Sequence, residues 1–344
     1  MLACLGGFAY ALDGHAIPWL GLWIQWDANY YLSILTHGYR EPAVVTGLET
    51  GQSNLNFFPL LPIGGWLVAR LVTPPGLAGL VFANACLVAA ALGLHRVATR
   101  RFGIAAADWS VVSLVVLPGS FALSSFMTEP LFLAISIWSF HLFATGRPGA
   151  AAALGSLLSV TRLTGVALAG GFALDWLMRR IRRRPADYAV LFTICLMPLP
   201  LVGFMAYMDW LTGDGLAFLH SQLGFWQHRL DYPLANFFLF LSSDQPRLVV
   251  QSIVGLALLL CLLWSVRCFT AGELLFVGVN IASFASSGSA SPSLLRYMIS
   301  LYPLHLALGQ LGARHPAVRV LIVTLALVDG AMMTYWARGY DFFI

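Results

Sequence analysis

The sequence predicts an all-α protein that crosses a membrane many times, and three observations lead to this fold class. Of the 344 residues, 59% are hydrophobic and only 10% are charged, whereas an ordinary soluble domain is about 25% charged. The charges collect in short segments between long apolar runs. Gly and Pro interrupt these runs, as membrane helices tolerate when neighbouring helices satisfy the freed backbone groups. Lipid is therefore the expected solvent of most of the chain.

Ten apolar runs are candidates for crossings, although several are shorter than the roughly 20 residues that a crossing helix needs. With an N-terminal helix they predict about eleven transmembrane helices in a single domain, 1–344. The first run, 1–12, is too short to cross alone and has no small-residue cleavage site after it, so we expect no signal peptide. Either the first helix continues through Ile17 to Trp23, or part of it is missing from the start of the sequence. The ten runs are 79–98, 107–124, 130–146, 149–161, 165–178, 187–208, 248–267, 272–287, 295–312 and 317–336.

Charge predicts the orientation. Every basic residue is Arg, and the Arg clusters, such as the run from Arg179 to Arg184, fall in alternate loops. The positive-inside rule makes these loops cytoplasmic, which also accounts for the net charge of +4 without a nucleic-acid partner. The other loops then face outward, including two large ones, 24–78 and 209–247. The Arg-only, Ala-rich composition is typical of a GC-rich bacterial gene, so the bacterial cytoplasmic membrane is the expected location.

Both large loops are expected to contain helices that rest on the membrane surface. Segment 59–73 has fifteen residues, two prolines and Arg70, and is better explained as an interfacial helix than as a crossing. The first loop is rich in Trp and Tyr, as expected at headgroup depth. In the second loop, helical spacing places Leu216, Leu219, Leu223 and Trp226 on one face and Asp214, Ser221, His228 and Arg229 on the other.

Asp27 is the candidate catalytic base. It heads the first outer loop beside Trp26 and Tyr30. A partly desolvated carboxylate is more basic than one in water and could take a proton from an acceptor hydroxyl. The alternative is that Asp27 only caps the helix that starts at Ala28, because Asp is among the best N-cap residues.

Two further ionisable residues lie between apolar runs. Glu129 precedes Pro130, so it is either a functional acid facing a cavity or a helix-start carboxylate. Arg162 sits between two half-length helices and is expected to pair with a buried acid or with a phosphate. Arg296, at the outer end of a run, suits a lipid phosphate because its guanidinium offers five donors, although a structural salt bridge is also open.

Several polar and aromatic residues of the outer loops are candidates for substrate contact, although a solvated interfacial helix would have a similar composition. These candidates are Trp26, Tyr30, His37, Tyr39, Asn56, His220, Gln222, Trp226 and Tyr297, with Arg229 as a further phosphate ligand. No P-loop, GxGxxG or HExxH motif is present, and the five cysteines have no ligand spacing. We therefore predict no metal, no nucleotide and no cofactor, and a donor that already resides in the membrane.

Six segments, taken in order, resemble the PIG-V family of mannosyltransferases of glycosylphosphatidylinositol synthesis and its bacterial relatives. Together they extend over about residues 19–312. The segments are WDANYYLSILTHGY (26–39), NFFPLLP (56–62), SSFMTEPLFL (124–133), TRLTG (161–165), GDGLAFLHSQLGFWQHR (213–229) and SPSLLRYMISLYPL (291–304).

The resemblance implies a glycosyltransferase of the GT-C type, which transfers a sugar, generally mannose, from a polyprenyl phosphate with inversion at the anomeric carbon. It favours Asp27 as the base. The acceptor would be a glycolipid, a glycan or a protein outside the membrane. The chain departs from the family at Met127, where relatives have Tyr before the Thr-Glu pair.

Two other functions remain open. A transporter or flippase of lipid-linked sugars would also be polytopic, but should have two-fold internal symmetry, which the sequence does not display. A non-catalytic subunit of a membrane assembly would tolerate loss of Asp27 and Glu129.

Overall fold

The computed structural model describes residues 19–39, 53–182, 188–224, 231–286 and 293–337, and all secondary structure within these ranges is helical. The α-helices are α1 (Asp27–His37), α2 (Leu60–Val68), α3 (Pro75–Phe102), α4 (Ile104–Val116), α5 (Glu129–Ala144), α6 (Pro148–Ser156), α7 (Ala167–Ile181), α8 (Tyr188–Cys195), α9 (Leu199–Thr212), α10 (Ala217–Gly224), α11 (Ala235–Leu241), α12 (Pro246–Trp264), α13 (Ala271–Ala285), α14 (Leu294–Ile299), α15 (Tyr302–Arg314) and α16 (Pro316–Ala337).

The chain is a multi-pass membrane protein. Four helical segments of the described ranges are long and apolar enough to cross a bilayer: Pro75–Phe102, Tyr188–Thr212, Pro246–Trp264 and Pro316–Ala337, with mean hydropathy between 1.8 and 2.2. Their outer faces carry large apolar side chains that are exposed on the protein surface, such as Leu260 at 66% and Leu327 at 72%. Such faces are stable only against lipid, because a soluble monomer rarely exposes a large contiguous apolar surface.

The central helices pack in pairs, and the main pairs are α4 with α15, α3 with α5, α7 with α13, and α3 with α4. The α7–α13 pair is held at close range by two glycines. A Cβ atom added to Gly171 would lie 2.7 Å from the carbonyl oxygen of Gly272. Small residues at a helix crossing let the backbones approach closely, which is how membrane helices gain packing energy.

Two predicted crossings are broken, contrary to expectation. The run 107–124 stops being α-helical at Val116, because Pro118 and then Gly119, with φ 94°, turn the chain into a short 3₁₀-helix, Ser120–Ser124. The run 295–312 is divided between α14 and α15, which begins directly before Pro303. Apolar composition alone did not reveal either break.

A third break lies at Arg162. The chain passes from α6 through the 3₁₀-helix Leu157–Val160, becomes extended at Arg162, and continues through a second 3₁₀-helix, Leu163–Val166, into α7. Gly165 permits the sharp turn, because an added Cβ would lie 2.1 Å from the carbonyl oxygen of Leu158. Irregular backbone at membrane depth is tolerated only where protein surrounds it or a cavity borders it. The break therefore places Arg162 inside the helix bundle.

The first loop differs from the predicted surface helix at α1. In α1 the rings of Tyr30 and Tyr31 are buried in the protein rather than displayed toward lipid. In α2 and after it, Leu67 is 57% exposed and Leu71 is 91% exposed. With nine residues, α2 is about 14 Å long, which is too short to cross a bilayer of about 30 Å.

The ends of the helices define two ends of the bundle. α3 and α7 both finish in arginines, and Arg101 of α3 pairs with Glu273 at the start of α13. This is the arginine-rich end. Asp27 and Glu129 each begin a helix, and Arg296 lies near them, at the opposite end of the bundle.

Candidate functional site

Asp27 and Arg296 form an ion pair. The Nη2 atom of Arg296 donates to Oδ2 of Asp27 at 2.6 Å. The side chain of Arg296 is only 3% exposed, while that of Asp27 retains 19%. In the described part of the chain no side chain caps α1, so the capping role considered for Asp27 is not what its carboxylate does. The charge of Asp27 is directed at a cation and remains accessible from outside.

Glu129 holds two guanidinium groups together. Arg162 donates to Oε1 of Glu129 through Nη2, and Nε of Arg296 lies 3.2 Å from the same oxygen. The second contact is an ion pair rather than a hydrogen bond, because the Nε–H does not point at the oxygen. Glu129 is 1% exposed, and its Oε2 atom has no hydrogen-bond partner among the described residues. Such a carboxylate is stable at this depth only beside cations.

Arg162 is the more accessible of the two cations. Its Nε donates to the hydroxyl of Thr128 at 2.9 Å, and its guanidinium lies 4.9 Å from the centre of the Tyr297 ring. Its side chain is 16% exposed. The sequence predicts that Arg162 pairs with a buried acid or with a phosphate. The pairing with a buried acid is confirmed, and the acid is Glu129.

Tyr297 lies against both cations. The guanidinium of Arg296 is 5.2 Å from its ring centre, and Nη2 of Arg296 is 3.4 Å from its hydroxyl. A cation over an aromatic face is stabilised by the ring quadrupole. Tyr297 therefore packs against both arginines of the cluster.

Tyr31 belongs to the site, although the sequence did not single it out. Its ring packs edge-on against Phe126, and its hydroxyl is hydrogen-bonded to Thr128. Burial, reinforced by the negative charge of Asp27, raises the pKa of Tyr31 above its usual range. It therefore stays protonated and serves as a neutral hydroxyl beside Asp27. Only its place four residues after Asp27, on the same face of α1, could have indicated this role.

The cluster of Asp27, Glu129, Arg162 and Arg296 carries two negative and two positive charges. Its deep members are Glu129 and Arg296, and its accessible members are Asp27 and Arg162. A balanced buried cluster avoids the cost of an unpaired charge, which is about 3–5 kcal/mol when one partner of a pair is removed. An anion that enters therefore has to take the place of a carboxylate at a guanidinium.

The backbone before Asp27 is strained. Trp26 has φ 56° and ψ −124°, a conformation that non-glycine residues rarely adopt. Its indole Nε1 is buried and has no hydrogen-bond partner within the described ranges. Strain of this kind costs of order 1–3 kcal/mol and is often kept at functional sites. Of the residues predicted to contact substrate, Tyr297 and Trp26 are therefore the two that directly adjoin the charge cluster.

The remaining predicted residues of the first loop lie elsewhere. His37 ends α1, ten residues after Asp27, which is about 15 Å along the helix. Tyr39 is buried and donates to the carbonyl of Phe57 at 2.6 Å, and Tyr30 stacks on the Phe57 ring. The Oδ1 atom of Asn56 is buried without a described partner. The contacts of these side chains lie within the first loop rather than in the charge cluster.

In the second loop, His220 and Asp214 contact each other. His220 of α10 lies 2.6 Å from the carboxylate of Asp214, and both side chains are well exposed. Gln222 is on the same short helix. The buried residues of this helix are Ala217 and Phe218, whereas Leu216 and Leu223 are exposed. The predicted residues Trp226 and Arg229 lie outside the described residues.

Sequence reasoning missed a second buried ion pair at the arginine-rich end. Arg101 donates to both oxygens of Glu273, at 2.7 and 3.0 Å, and the hydroxyl of Tyr302 donates to the same carboxylate. Glu273 also completes a capping box with Thr270 at the start of α13. The T-x-x-E pattern predicts the cap, but it gives no sign of a partner 172 residues away.

Within the ranges that the structure describes, no group of three or more His, Cys, Asp or Glu side chains is arranged to hold a metal ion. Comparisons of the chain with protein-family models, with curated proteins and with solved structures found no match.

Proposed function

We propose that this chain is a membrane glycosyltransferase that moves a sugar from a polyprenyl phosphate to an acceptor hydroxyl. The observation that carries the proposal is the pairing of an accessible carboxylate, Asp27, with a buried guanidinium, Arg296. The pair supplies the two functions that the reaction needs, a base for the acceptor and a cation for the leaving phosphate.

The membrane arrangement that goes with this proposal is of the GT-C type, with about eleven crossings. The four longer apolar segments and four shorter ones, such as Glu129–Ala144 and Ala271–Ala285, would supply eight of these crossings. Because the arginine-rich end is cytoplasmic by the charge rule, the charge cluster faces the outside of a bacterial cytoplasmic membrane. The resemblance to the PIG-V family supports the same arrangement.

The proposed reaction is a single displacement that begins with an exchange of partners. The phosphodiester of the donor takes the place of Asp27 at the guanidinium of Arg296, with Arg162 as its second cation. Asp27, released from its counter-charge, becomes a stronger base. It is then free to approach the acceptor hydroxyl.

In the chemical step the acceptor oxygen forms a bond to the anomeric carbon, and its proton passes to Asp27. The bond between that carbon and the phosphate oxygen breaks, and the electron pair leaves with the phosphate. Asp27 loses one negative charge while the phosphate gains one, so the net charge of the site is unchanged. The arginines therefore stabilise charge where it develops, without reorganising.

In this proposal Glu129 is a positioning residue. Its Oε1 atom contacts both guanidiniums and its side chain is buried. It is therefore better placed to position the two arginines for a shared anion than to remove a proton from an acceptor. This differs from the catalytic role that the sequence suggested for it.

Mannose and the polyprenyl carrier come from the resemblance alone. The acceptor is a glycolipid, a glycan or a protein, since each of these presents a hydroxyl outside the membrane. No cofactor enters the proposed reaction.

The test is transfer of radiolabelled mannose from polyprenyl-phosphate mannose to bacterial membrane extracts by the purified protein in lipid nanodiscs. Wild-type protein should transfer label, and Asp27→Asn should reduce the rate by about 10²- to 10⁴-fold. Asp108→Asn, which changes an exposed acid at the arginine-rich end, away from the charge cluster, is the matched control and should leave the rate unchanged. Near-normal transfer by a folded Asp27→Asn protein would show that Asp27 is not the base.

A flippase of lipid-linked sugars is the second candidate, favoured by one observation. The interrupted helix around Arg162 is a feature that transporters also use at their binding sites. Movement of a fluorescent polyprenyl-phosphate sugar across a vesicle membrane, in the absence of any transfer, would support the flippase over the enzyme.

A further inference from the structure

The long helix α3 carries an exposed stripe that changes from apolar to basic along its length. Val88, Leu92, Arg96 and Arg100 follow one another at intervals of four residues, which places them one above the other on the helix surface. Val88 is 60% exposed and Leu92 is 63% exposed, and both arginines are exposed as well. The stripe therefore presents two apolar side chains and then two cations to the surroundings of the bundle.

The length of α3 brings this change of polarity to the membrane surface. With 28 residues the helix is about 42 Å long, whereas the hydrocarbon core of a bilayer is about 30 Å thick. Arginine is costly in hydrocarbon, so the turns with Arg96 and Arg100 extend into the headgroup layer, while Leu92 and Val88 lie beside acyl chains. The order of these side chains matches the order of headgroup and chain in a phospholipid.

The two arginines of the stripe have no ion pair among the described residues, because the described carboxylates of the arginine-rich end are engaged elsewhere. Like charges four residues apart on a helix repel each other, and His141 at the end of α5 lies within electrostatic range of the same two arginines. The stripe therefore has a positive charge that is not balanced within the described part of the chain. The partners of the carboxylates are His95 for Asp108, Arg101 for Glu273, and the hydroxyl of Thr270 with the backbone N–H of Gly272 for Asp175.

We propose that this stripe binds an anionic phospholipid, with its phosphate between Arg96 and Arg100 and an acyl chain along Leu92 and Val88. The Cβ atoms of residues four apart on a helix are separated by about 5–6 Å, so both guanidiniums reach the oxygens of one phosphate. A zwitterionic lipid brings an ammonium group to the same place, where the arginines repel it. The inference is independent of the proposed transfer reaction and concerns the opposite end of the bundle.

The experiment is native mass spectrometry of the purified full-length protein in detergent, titrated with phosphatidylglycerol or with phosphatidylcholine. Phosphatidylglycerol should bind more tightly, because only its headgroup has a net negative charge. Arg100→Gln should weaken its binding by about fivefold, and the double change with Arg96→Gln by about 25-fold, from about 1 kcal/mol per arginine at a membrane surface. Equal affinity for the two lipids in the wild type would overturn the proposal.

Arg267→Gln is the matched control for the headgroup. It removes the same charge from an exposed arginine in the short 3₁₀-helix Val266–Cys268, away from the stripe, and should leave the binding of phosphatidylglycerol unchanged. A loss equal to that in Arg100→Gln would overturn the assignment to the stripe, because net charge alone would then explain both losses.

The apolar half of the stripe has its own test. Leu92→Ala should weaken binding of phosphatidylglycerol by about fourfold, the equivalent of one buried CH₂ group. Leu260→Ala is its control, since Leu260 is 66% exposed on α12, and it should have no effect. Glycerol 3-phosphate, which has the phosphate without the acyl chains, should not displace the lipid. Displacement at equal concentration would assign the arginines to a soluble phosphate compound and overturn the lipid site.

Discussion

The carboxylate of Asp27 and the guanidinium of Arg296, 269 positions apart in the sequence, are joined by a 2.6 Å hydrogen bond. The guanidinium is the buried partner and the carboxylate the accessible one. A buried guanidinium is strongly disfavoured without a counter-charge. Whatever displaces Asp27 must therefore bring a negative charge of its own.

The first prediction concerns this exchange. Asp27→Asn should lower the free energy of unfolding by about 1–3 kcal/mol, less than for a fully buried pair, because the carboxylate is partly solvated and Glu129 remains nearby. Added polyprenyl phosphate should stabilise Asp27→Asn more than it stabilises the wild type, because the phosphate finds a vacant guanidinium. Thermal unfolding in detergent, with and without the lipid, measures both effects. Equal stabilisation of the two proteins would argue against a shared position for carboxylate and phosphate.

The second prediction concerns the shape of the cation. Arg296→Lys keeps the charge, but an ammonium group cannot contact Asp27 and Glu129 together as the planar guanidinium does. The substitution should remove one charge-assisted hydrogen bond to the donor, which weakens binding by about 1.5–3 kcal/mol. The KM for the donor should therefore rise by about 10- to 150-fold. Steady-state kinetics with varied donor checks this.

Arg70→Lys is the matched control for that substitution. Arg70 stacks on Trp66 at 4.1 Å, away from the charge cluster, and the same change there should leave the KM of the donor unaltered. A rise in KM in both variants would point to a general effect on the membrane protein rather than to the site.

The third prediction tests Glu129 as a positioning residue. Glu129→Gln should reduce the free energy of unfolding by about 3–5 kcal/mol, because the guanidiniums of Arg162 and Arg296 lose their shared partner. Combining it with Arg162→Gln should cost less than the sum of the two single changes, with a coupling of about 0.5–3 kcal/mol. Chemical unfolding of the four proteins gives this cycle. Strict additivity would mean that the contact between Glu129 and Arg162 contributes nothing to stability.

The sequence predicts the chemistry of the site better than its geometry. Asp27, Glu129, Arg162 and Arg296 stand out because charges are rare in apolar surroundings, and the structure brings all four together. Their mutual pairing could not be predicted, because each contact joins distant parts of the chain and depends on how the helices pack. Hydropathy carries no information on which helices are neighbours.

Hydropathy also does not predict where the helices break. Pro118 and Gly119 mark one break plainly, yet membrane helices often continue through such residues. The buried carboxylate of Asp329 stabilises the broken conformation, because it accepts a hydrogen bond from the backbone N–H of Gly119 at 2.8 Å. This partner is 210 residues away in the sequence, so the contact could not be predicted.

The fourth prediction follows from that contact. Asp329→Asn should destabilise the protein by about 1–3 kcal/mol, because the N–H groups around Gly119 lose a charged acceptor. Since the segment after Gly119 leads directly to Glu129, the change should also loosen the charge cluster. Hydrogen exchange should become faster in peptides covering 117–128 while peptides of α12 stay protected. Unchanged protection of 117–128 would show that the segment holds its shape without Asp329.

The last prediction concerns pH at the second loop. The hydrogen bond from His220 holds the pKa of Asp214 below its ordinary value of 3.8. Because the folded-state pKa is the lower one, the contact contributes stability above the unfolded-state pKa and loses it as the pH falls through the folded-state pKa. His220→Gln should therefore move the pKa of Asp214 upward, toward 3.8. A carboxyl ¹³C titration of the labelled protein measures this directly. A pKa of Asp214 that stays low in His220→Gln would assign the shift to the backbone N–H of Leu216 instead.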